Sequence, residues 1–415
     1  MNLTKRAIGL SALIGMSASF LLCGYEFIRS PSNTLFQKAY GTENLPLVMA
    51  LVIPGTFVAL YIYGLVLSKL GPRKSLFVIS IASGALLSGC YLLIQAGFNF
   101  ATVILYVIRE AYIILVIEQY WSFINSSLSS EEAKKVNGPI VGIASLGAIL
   151  GGYLVSKLSV PLGTYNMLLF GAVSTLPAAI ISDWAYKFGG EPTPDKSTSK
   201  DIAHKDHLAL GLFKSSRLLL ALFFLIMVTQ VISAVLSLEF QTRLQIDIPN
   251  LDEQTAYSGG FFSILNAVAA GLQFVVAPLV LKFISAMWIQ LLIPVCHLAT
   301  ISYLLIHPSL TTAGICYMTF KAFDYSIFRA SKEILYIPLS FDARYRAKEV
   351  IDFLGYRFSK GGISLVIAIF QKIGFTMTSA YGVIAFVSAA LWIGLVIPIF
   401  RESKHKTLEP SKQLL

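Results

Sequence analysis

The chain has 415 residues, of which 56% are hydrophobic and 13% charged, and its mean hydropathy is +0.72. A soluble chain covers its surface with roughly a quarter of charged residues, so this composition excludes an ordinary soluble protein and points to a polytopic membrane protein. The net charge of +10 would suit nucleic acid in a soluble protein. In a membrane chain excess Lys and Arg sets orientation instead, and no nucleic-acid partner is expected.

A membrane-spanning helix needs about 20 largely apolar residues. That ruler predicts an all-α chain of twelve segments: 8–28, 46–68, 75–97, 101–126, 139–159, 163–183, 216–239, 257–282, 286–306, 310–335, 347–371 and 378–400. The first is read as a true helix, because Tyr25, Glu26 and Arg29 close it where a signal peptide would have a small-residue cleavage site. With the N-terminus inside, the cytoplasmic segments hold 21 Lys and Arg and the outer ends five, Arg29, Lys38, Lys157, Arg243 and Lys372, which predicts both termini in the cytoplasm. The four cysteines, Cys23, Cys90, Cys296 and Cys316, lie in apolar runs without metal-ligand spacing, so no metal site or disulfide framework is expected.

One long polar stretch, Asp183 to Arg217, carries Pro192, Pro194 and Ser197 among alternating charges and reads as a flexible linker. The expected organisation is a six-helix half over 1–182, a cytoplasmic linker over 183–215, a second six-helix half over 216–402 and a tail over 403–415. Sliding one half over the other by about 214 residues brings Ala133-Lys134 onto Ala347-Lys348, and Glu26-Phe27 falls on Glu239-Phe240 one residue away from that register. Two parallel six-helix pseudo-repeats resemble the architecture of the major facilitator transporters, whose substrate site lies near mid-membrane between the halves. Segment 61–77, YIYGLVLSKLGPRKSLF, resembles that superfamily's loop between helices two and three without its usual acidic residue.

A charge at a helix centre costs roughly 2.5–3.5 kcal/mol on the insertion scale, so it is kept where it meets a partner or a water-filled cavity. Arg109, Glu110 and Glu118 lie in the fourth segment, Lys321, Asp324, Arg329, Lys332 and Glu333 in the tenth, and Asp352, Arg357 and Lys360 in the eleventh. Lys332, Glu333 and Asp352 lie near helix ends, where snorkelling is an alternative. At 100° per residue Lys321, Tyr325, Phe328 and Lys332 fall within about 40° of one another, with Asp324 about 60° to one side, which predicts a cavity-lining face. Tyr356 and Lys360 share a face of the eleventh helix, with Asp352 and Arg357 to its sides. Cations beside flat rings suit an anion that also carries a planar ring, since Lys and Arg take phosphate or carboxylate while the aromatic stacks.

Ser331 to Gly362, SKEILYIPLSFDARYRAKEVIDFLGYRFSKGG, resembles the nucleotide transporter (ATP/ADP carrier) family of plastids and intracellular bacteria. Lys332, Glu333, Tyr336, Ile337, Pro338, Leu339, Ile351, Asp352, Lys360, Gly361 and Gly362 stand in places matching its K-E-M-A-Y-I-P-L, I-D-V-V and G-K-S-G-G patterns. Tyr120-Trp121-Ser122-Phe123 with Asn125 and Glu132-Ala133-Lys134-Lys135 are similar to its F-W-G-F-A-N and E-A-K-R, and GYEFIRS at 24–30 is similar to its Y-T-I-L-R-D. Leu238-Glu239-Phe240-Gln241-Thr242-Arg243 resembles V-E-V-T-W-K, with Arg243 on the Lys. Two places depart: Ser30 and Ser32 stand where the family has Asp and Lys, and the family Glu of helix four falls on Arg109 or Glu110.

The resemblance implies nucleotide exchange, ATP/ADP-type antiport by alternating access. It places Lys332, Lys360, Arg29 and Arg243 on phosphates or on Glu239, and the helix faces described above offer Tyr325 and Tyr356 as stacking rings. Lys321 and Asp324 are expected as a gating pair, and Arg109, Glu110, Glu118, Asp352 and Arg357 as charge partners. The expected partners are a small anionic nucleotide and membrane lipid, with no cofactor. One alternative is a proton-coupled carrier of another organic anion or cofactor, with Glu110, Glu118, Glu239 and Asp324 as proton carriers. A second is a non-transporting membrane scaffold or sensor. No His-Glu-x-x-His, Gly-x-Ser-x-Gly or Walker pattern occurs, so no enzyme is expected. The lack of a long Arg- and Ser-rich leader points to a bacterial inner membrane rather than a plastid.

Overall fold

Thr4 opens the first helix by accepting the Ala7 N–H at 3.1 Å, and Gly41, at φ 81°, ends it with its own N–H on the Gln37 carbonyl at 2.8 Å. In the computed structural model, residues 4–128, 130–190, 217–336, 351 and 355–408 are described. Among them every regular element is helical. The elements are α1 (Lys5–Tyr40), α2 (Leu45–Gln95), α3 (Phe100–Ser127), α4 (Ser130–Leu162), α5 (Thr164–Gly189), α6 (Arg217–Asp247) and α7 (Leu251–Gly271). A π-helical turn, Leu272–Val276, leads into α8 (Ala277–Phe283), followed by α9 (Ala286–Ile306) and α10 (Leu310–Phe323). A second π-helical turn, Asp324–Phe328, joins α10 to α11 (Arg329–Tyr336), and α12 (Tyr356–Lys372) and α13 (Tyr381–Leu408) complete the set. Most of the expected linker, the stretch from Ile337 to Val350 within the strongest motif, and Asp352 lie outside the described residues, as does the side chain of Glu118.

The second and third expected segments form one element. Gly71 breaks α2 with φ 73° and ψ 170°, a backbone conformation other residues rarely take, and Pro72 follows without an N–H to donate. Eight described helices are long and apolar enough to cross a membrane. They take in nine of the twelve expected segments, two of them as the arms of α2. The other three, 101–126, 310–335 and 347–371, are those the sequence loads with charge, and helices stand there as α3, as α10 with α11, and as α12. Large apolar side chains such as Tyr61, Leu92 and Phe283 face outward, as hydrocarbon solvent permits.

The chain divides into two units, Met1–Pro194 with Ile248–Ala270, and Asp195–Asp247 with Gly271–Leu415. The sequence places 248–270 in the second half of the chain, whereas in space these residues group with the first. In unit 1, α1 packs on α3, α4 and α5, and α2 on α3 and α5. Buried polar groups are paired across helices: Ser17 Oγ lies 2.7 Å from both Tyr120 Oη and the Ala178 carbonyl. Helix α7 comes close enough to α4 that a Cβ on Gly152 would lie 2.8 Å from the Gly259 carbonyl oxygen. Ser263 Oγ donates to the Ile149 carbonyl at 2.8 Å, and Thr34 and Thr164 meet the Thr255 hydroxyl at 2.7 and 3.0 Å.

In unit 2, α6 packs against α10, α12 and α13, and α9 against α10 and α13. Trp392, buried, stacks edge-on to Phe328 at 5.1 Å between ring centroids and lies 5.7 Å from the His297 ring. His297 is thus part of an aromatic core. The two π-helical turns pack against each other.

Candidate functional site

The charged residues of the apolar segments gather in two clusters, one in each unit. In unit 1, α1 brings Glu26, Arg29, Ser32 and Asn33 to one place, α3 adds Arg109 and Glu110, and α7 adds Phe262 and Asn266. Arg109 is the centre. Its Nη1 donates to Ser32 Oγ at 2.7 Å, Asn33 Oδ1 at 2.8 Å and the Arg29 carbonyl at 3.2 Å, its Nη2 donates to Glu110 Oε1 at 2.8 Å, and its guanidinium lies 4.0 Å from the Tyr106 ring centroid. A guanidinium presents donors in a fixed fork, and this arrangement engages both of its terminal nitrogens. At 4% exposure its charge is met by partners on two helices.

Arg29 lies flat on Phe262, with 3.5 Å between its Cζ and the ring centroid. Its Nη1 is 3.4 Å from Glu26 Oε1, which also accepts from Asn266 Nδ2 at 3.0 Å. Ser30 and Ser32, read from sequence as departures from the family pattern, are both buried, and Ser32 is a ligand of Arg109. Asn33, Phe262 and Asn266 escaped sequence reasoning. A lone Asn in an otherwise apolar run, with a ring four residues before it, is the signal that could have found the last two.

In unit 2 the charges are spaced along their helices. Arg243 Nε is 2.9 Å from Glu239 Oε1 one turn away on α6, and Glu239 is buried. Lys321 Nζ is 3.6 Å from Asp324 Oδ2 and 5.1 Å from the Tyr325 ring centroid. Lys332, at 2% exposure, has its Nζ 4.0 Å from Glu333 Oε1 and 5.3 Å from the Tyr356 ring centroid. Lys332 and Tyr356 stand on different helices, so folding joins two residues that the sequence could only place on separate faces. Lys360 and Arg357 are partly buried on α12, in the turns after Gly355.

The residues of the predicted cavity-lining face of the tenth segment differ in exposure. Lys321, Phe328 and Lys332 are buried, but Tyr325 is 37% exposed. The π-helical turn Asp324–Phe328 bonds i to i+5 and takes in an additional residue, so a count at 100° per residue fails across it. Such turns are frequent at functional sites, and here one carries Asp324 and begins beside Lys321.

Comparison with known proteins bears on the family and the fold. The family described as TLC ATP/ADP transporter matches residues 258–402. Two proteins named ADP,ATP carrier protein 1, from Rickettsia bellii (strain RML369-C) and Rickettsia conorii (strain ATCC VR-613 / Malish 7), are each 34% identical over 87 and 89 residues, 20% of this chain. The chain matches 18% of the length of each carrier. Among solved structures, a mutant of the nucleoside transporter NupG superposes with a TM-score of 0.71 at 14% identity, covering 94% of this chain and 100% of that one. A bacterial homologue of iron transporter ferroportin in an inward-facing state gives 0.71 at 10% identity, over 94% and 98%. These identities speak for the fold alone, that of twelve membrane-spanning helices in two six-helix pseudo-repeats. The Major Facilitator Superfamily itself matches residues 15–325. With well over half of its length matched and its helices so arranged, the chain belongs to the Major Facilitator Superfamily and is a membrane transporter rather than an enzyme.

Proposed function

We propose that the protein exchanges nucleotides, in ATP/ADP-type antiport by alternating access, across a bacterial inner membrane with both termini in the cytoplasm. The observation that carries the reading is Lys332, a buried cation 5.3 Å from the ring of Tyr356, inside the stretch that matches the ATP/ADP transporter family. A buried ammonium beside an aromatic ring offers what a nucleotide needs, charge for the phosphate and a flat face for the base. In this reading Lys332 and Lys360 take phosphate oxygens. Tyr325 and Tyr356 offer ring faces, while Arg243 with Glu239 and Lys321 with Asp324 are pairs that change partners during transport. Orientation is supported by the 21 Lys and Arg on the predicted inner side against five on the outer.

Obligatory exchange requires that the empty carrier meets a barrier which bound substrate lowers, and buried cations without their anion supply one. The test is uptake of radiolabelled ATP by vesicles carrying the purified protein, with unlabelled ADP or GTP inside. Counter-exchange that survives an uncoupler is expected, and transport that collapses with the uncoupler would point to the proton-coupled alternative. Lys332→Gln is expected to abolish exchange while membrane insertion is kept; unchanged uptake by this variant would remove Lys332 from the site.

A further inference from the structure

Glu26 is 2% exposed, and while its Oε1 is engaged by Asn266 and Arg29, its Oε2 has no hydrogen-bond partner. A buried carboxylate oxygen left without a donor is costly, and most such groups in folded proteins are paired. Two hydroxyls lie along the same seam. Ser30, one turn from Glu26 on α1, and Ser258, one turn from Phe262 on α7, are both fully buried, and the Oγ of each is without a partner. The hydrogen bond between Thr34 and Thr255 at 2.7 Å fixes the register that brings these positions of α1 and α7 together.

The charges around this seam already balance, with Arg29 and Arg109 against Glu26 and Glu110. A phosphate here would add uncompensated negative charge in a poorly hydrated place, whereas a neutral group that donates hydrogen bonds would satisfy Glu26 and leave the balance intact. We infer that Glu26, with Asn266 and Phe262, forms a subsite for the uncharged, donor-bearing part of the substrate, the sugar diol of a nucleoside. This rests on the nucleotide reading for the identity of the sugar. Glu26 accepts from the vicinal hydroxyls through Oε2, Asn266 and Arg29 hold the carboxylate in place, and the Ser30 and Ser258 hydroxyls lie in reach of the same seam.

The experiment uses the purified full chain in detergent and reads the shift of its unfolding midpoint with adenosine, 2′,3′-dideoxyadenosine or inorganic phosphate as probe. Adenosine is expected to stabilise the wild type and the dideoxy compound to do so at least tenfold more weakly by concentration, since a site built to bond a hydroxyl rejects the analogue that lacks it. Glu26→Gln is expected to lose the adenosine shift. Glu26→Asp keeps the charge opposite Arg29 and withdraws the carboxylate by one methylene, so it should fold where the Gln variant does not and still lose the shift. Any response to phosphate is expected to be the same in all three proteins. No adenosine shift in the wild type, equal shifts from the two nucleosides, or a full shift in both variants would each overturn the inference. ADP counter-exchange in vesicles decides the parent reading separately. Exchange that does not discriminate ADP from its dideoxy analogue sinks the subsite alone. No exchange, together with a Glu26-dependent adenosine shift, sinks the phosphate reading and leaves the subsite standing.

Discussion

The buried cations of the two units are held in different ways. In unit 1 the Arg109 guanidinium on α3 is tied to Ser32, Asn33 and the Arg29 carbonyl, all on α1. In unit 2 the described ion pairs, Glu239 with Arg243, Lys321 with Asp324 and Lys332 with Glu333, each join residues of a single helical run. A tie between helices resists their relative movement and spends the cation's hydrogen-bonding capacity on the protein. A pair carried on one run moves with it. On the proposed reading, Arg109 has the structural role and Lys332 the one that meets substrate.

The sharpest way to break this contrast is to remove each cation in turn. Arg109→Leu leaves Glu110 and the α1 acceptors facing an apolar side chain and is expected to cost about 3–5 kcal/mol of stability, as removal of one partner of a buried pair generally does; chemical denaturation in detergent measures it. Lys332→Gln should unfold close to wild type while exchange is lost. If Lys332→Gln proves the less stable of the two, the assignment of roles is reversed.

A smaller effect is expected where α4 meets α7. Gly152→Val places a side chain 2.8 Å from the Gly259 carbonyl oxygen and the Ser263 nitrogen, both backbone atoms. Overpacking of this kind costs about 1–3 kcal/mol, read from the same denaturation curves. The smallest effect tests whether a bond between helices is enough without burial. Arg73 on α2 meets Asp183 on α5 at 2.6 Å, but these side chains are 32% and 20% exposed. Asp183→Asn is expected to cost less than about 1 kcal/mol, and the loss should shrink in high salt because exposed charges are screened.

Much of this was legible in the chain. Runs of apolar residues of spanning length mark the helices, because hydrocarbon admits a backbone only when its own hydrogen bonds are closed within the segment. The Gly71-Pro72 pair marks the bend of α2. Arg109, Lys321, Asp324 and Lys332 stand out because a charge in an apolar run needs a reason. The angular reading of the tenth segment did not include the π-helical turn Asp324–Phe328, since such a turn is set by packing and leaves no clear mark in hydrophobic period.

By itself, then, the sequence determined the membrane class, the helical segments and which residues carry charge inside them, all of which follow from transfer of side chains and backbone between water and hydrocarbon. Only the tertiary structure decided which charges meet. Arg109 lies 76 residues from Asn33, and Glu26 lies 240 from Asn266. Hydrogen bonds a few ångströms long depend on how helices cross, and the crossing is set by small-residue contacts such as Gly152 against Gly259, a relation between distant segments that no local pattern encodes.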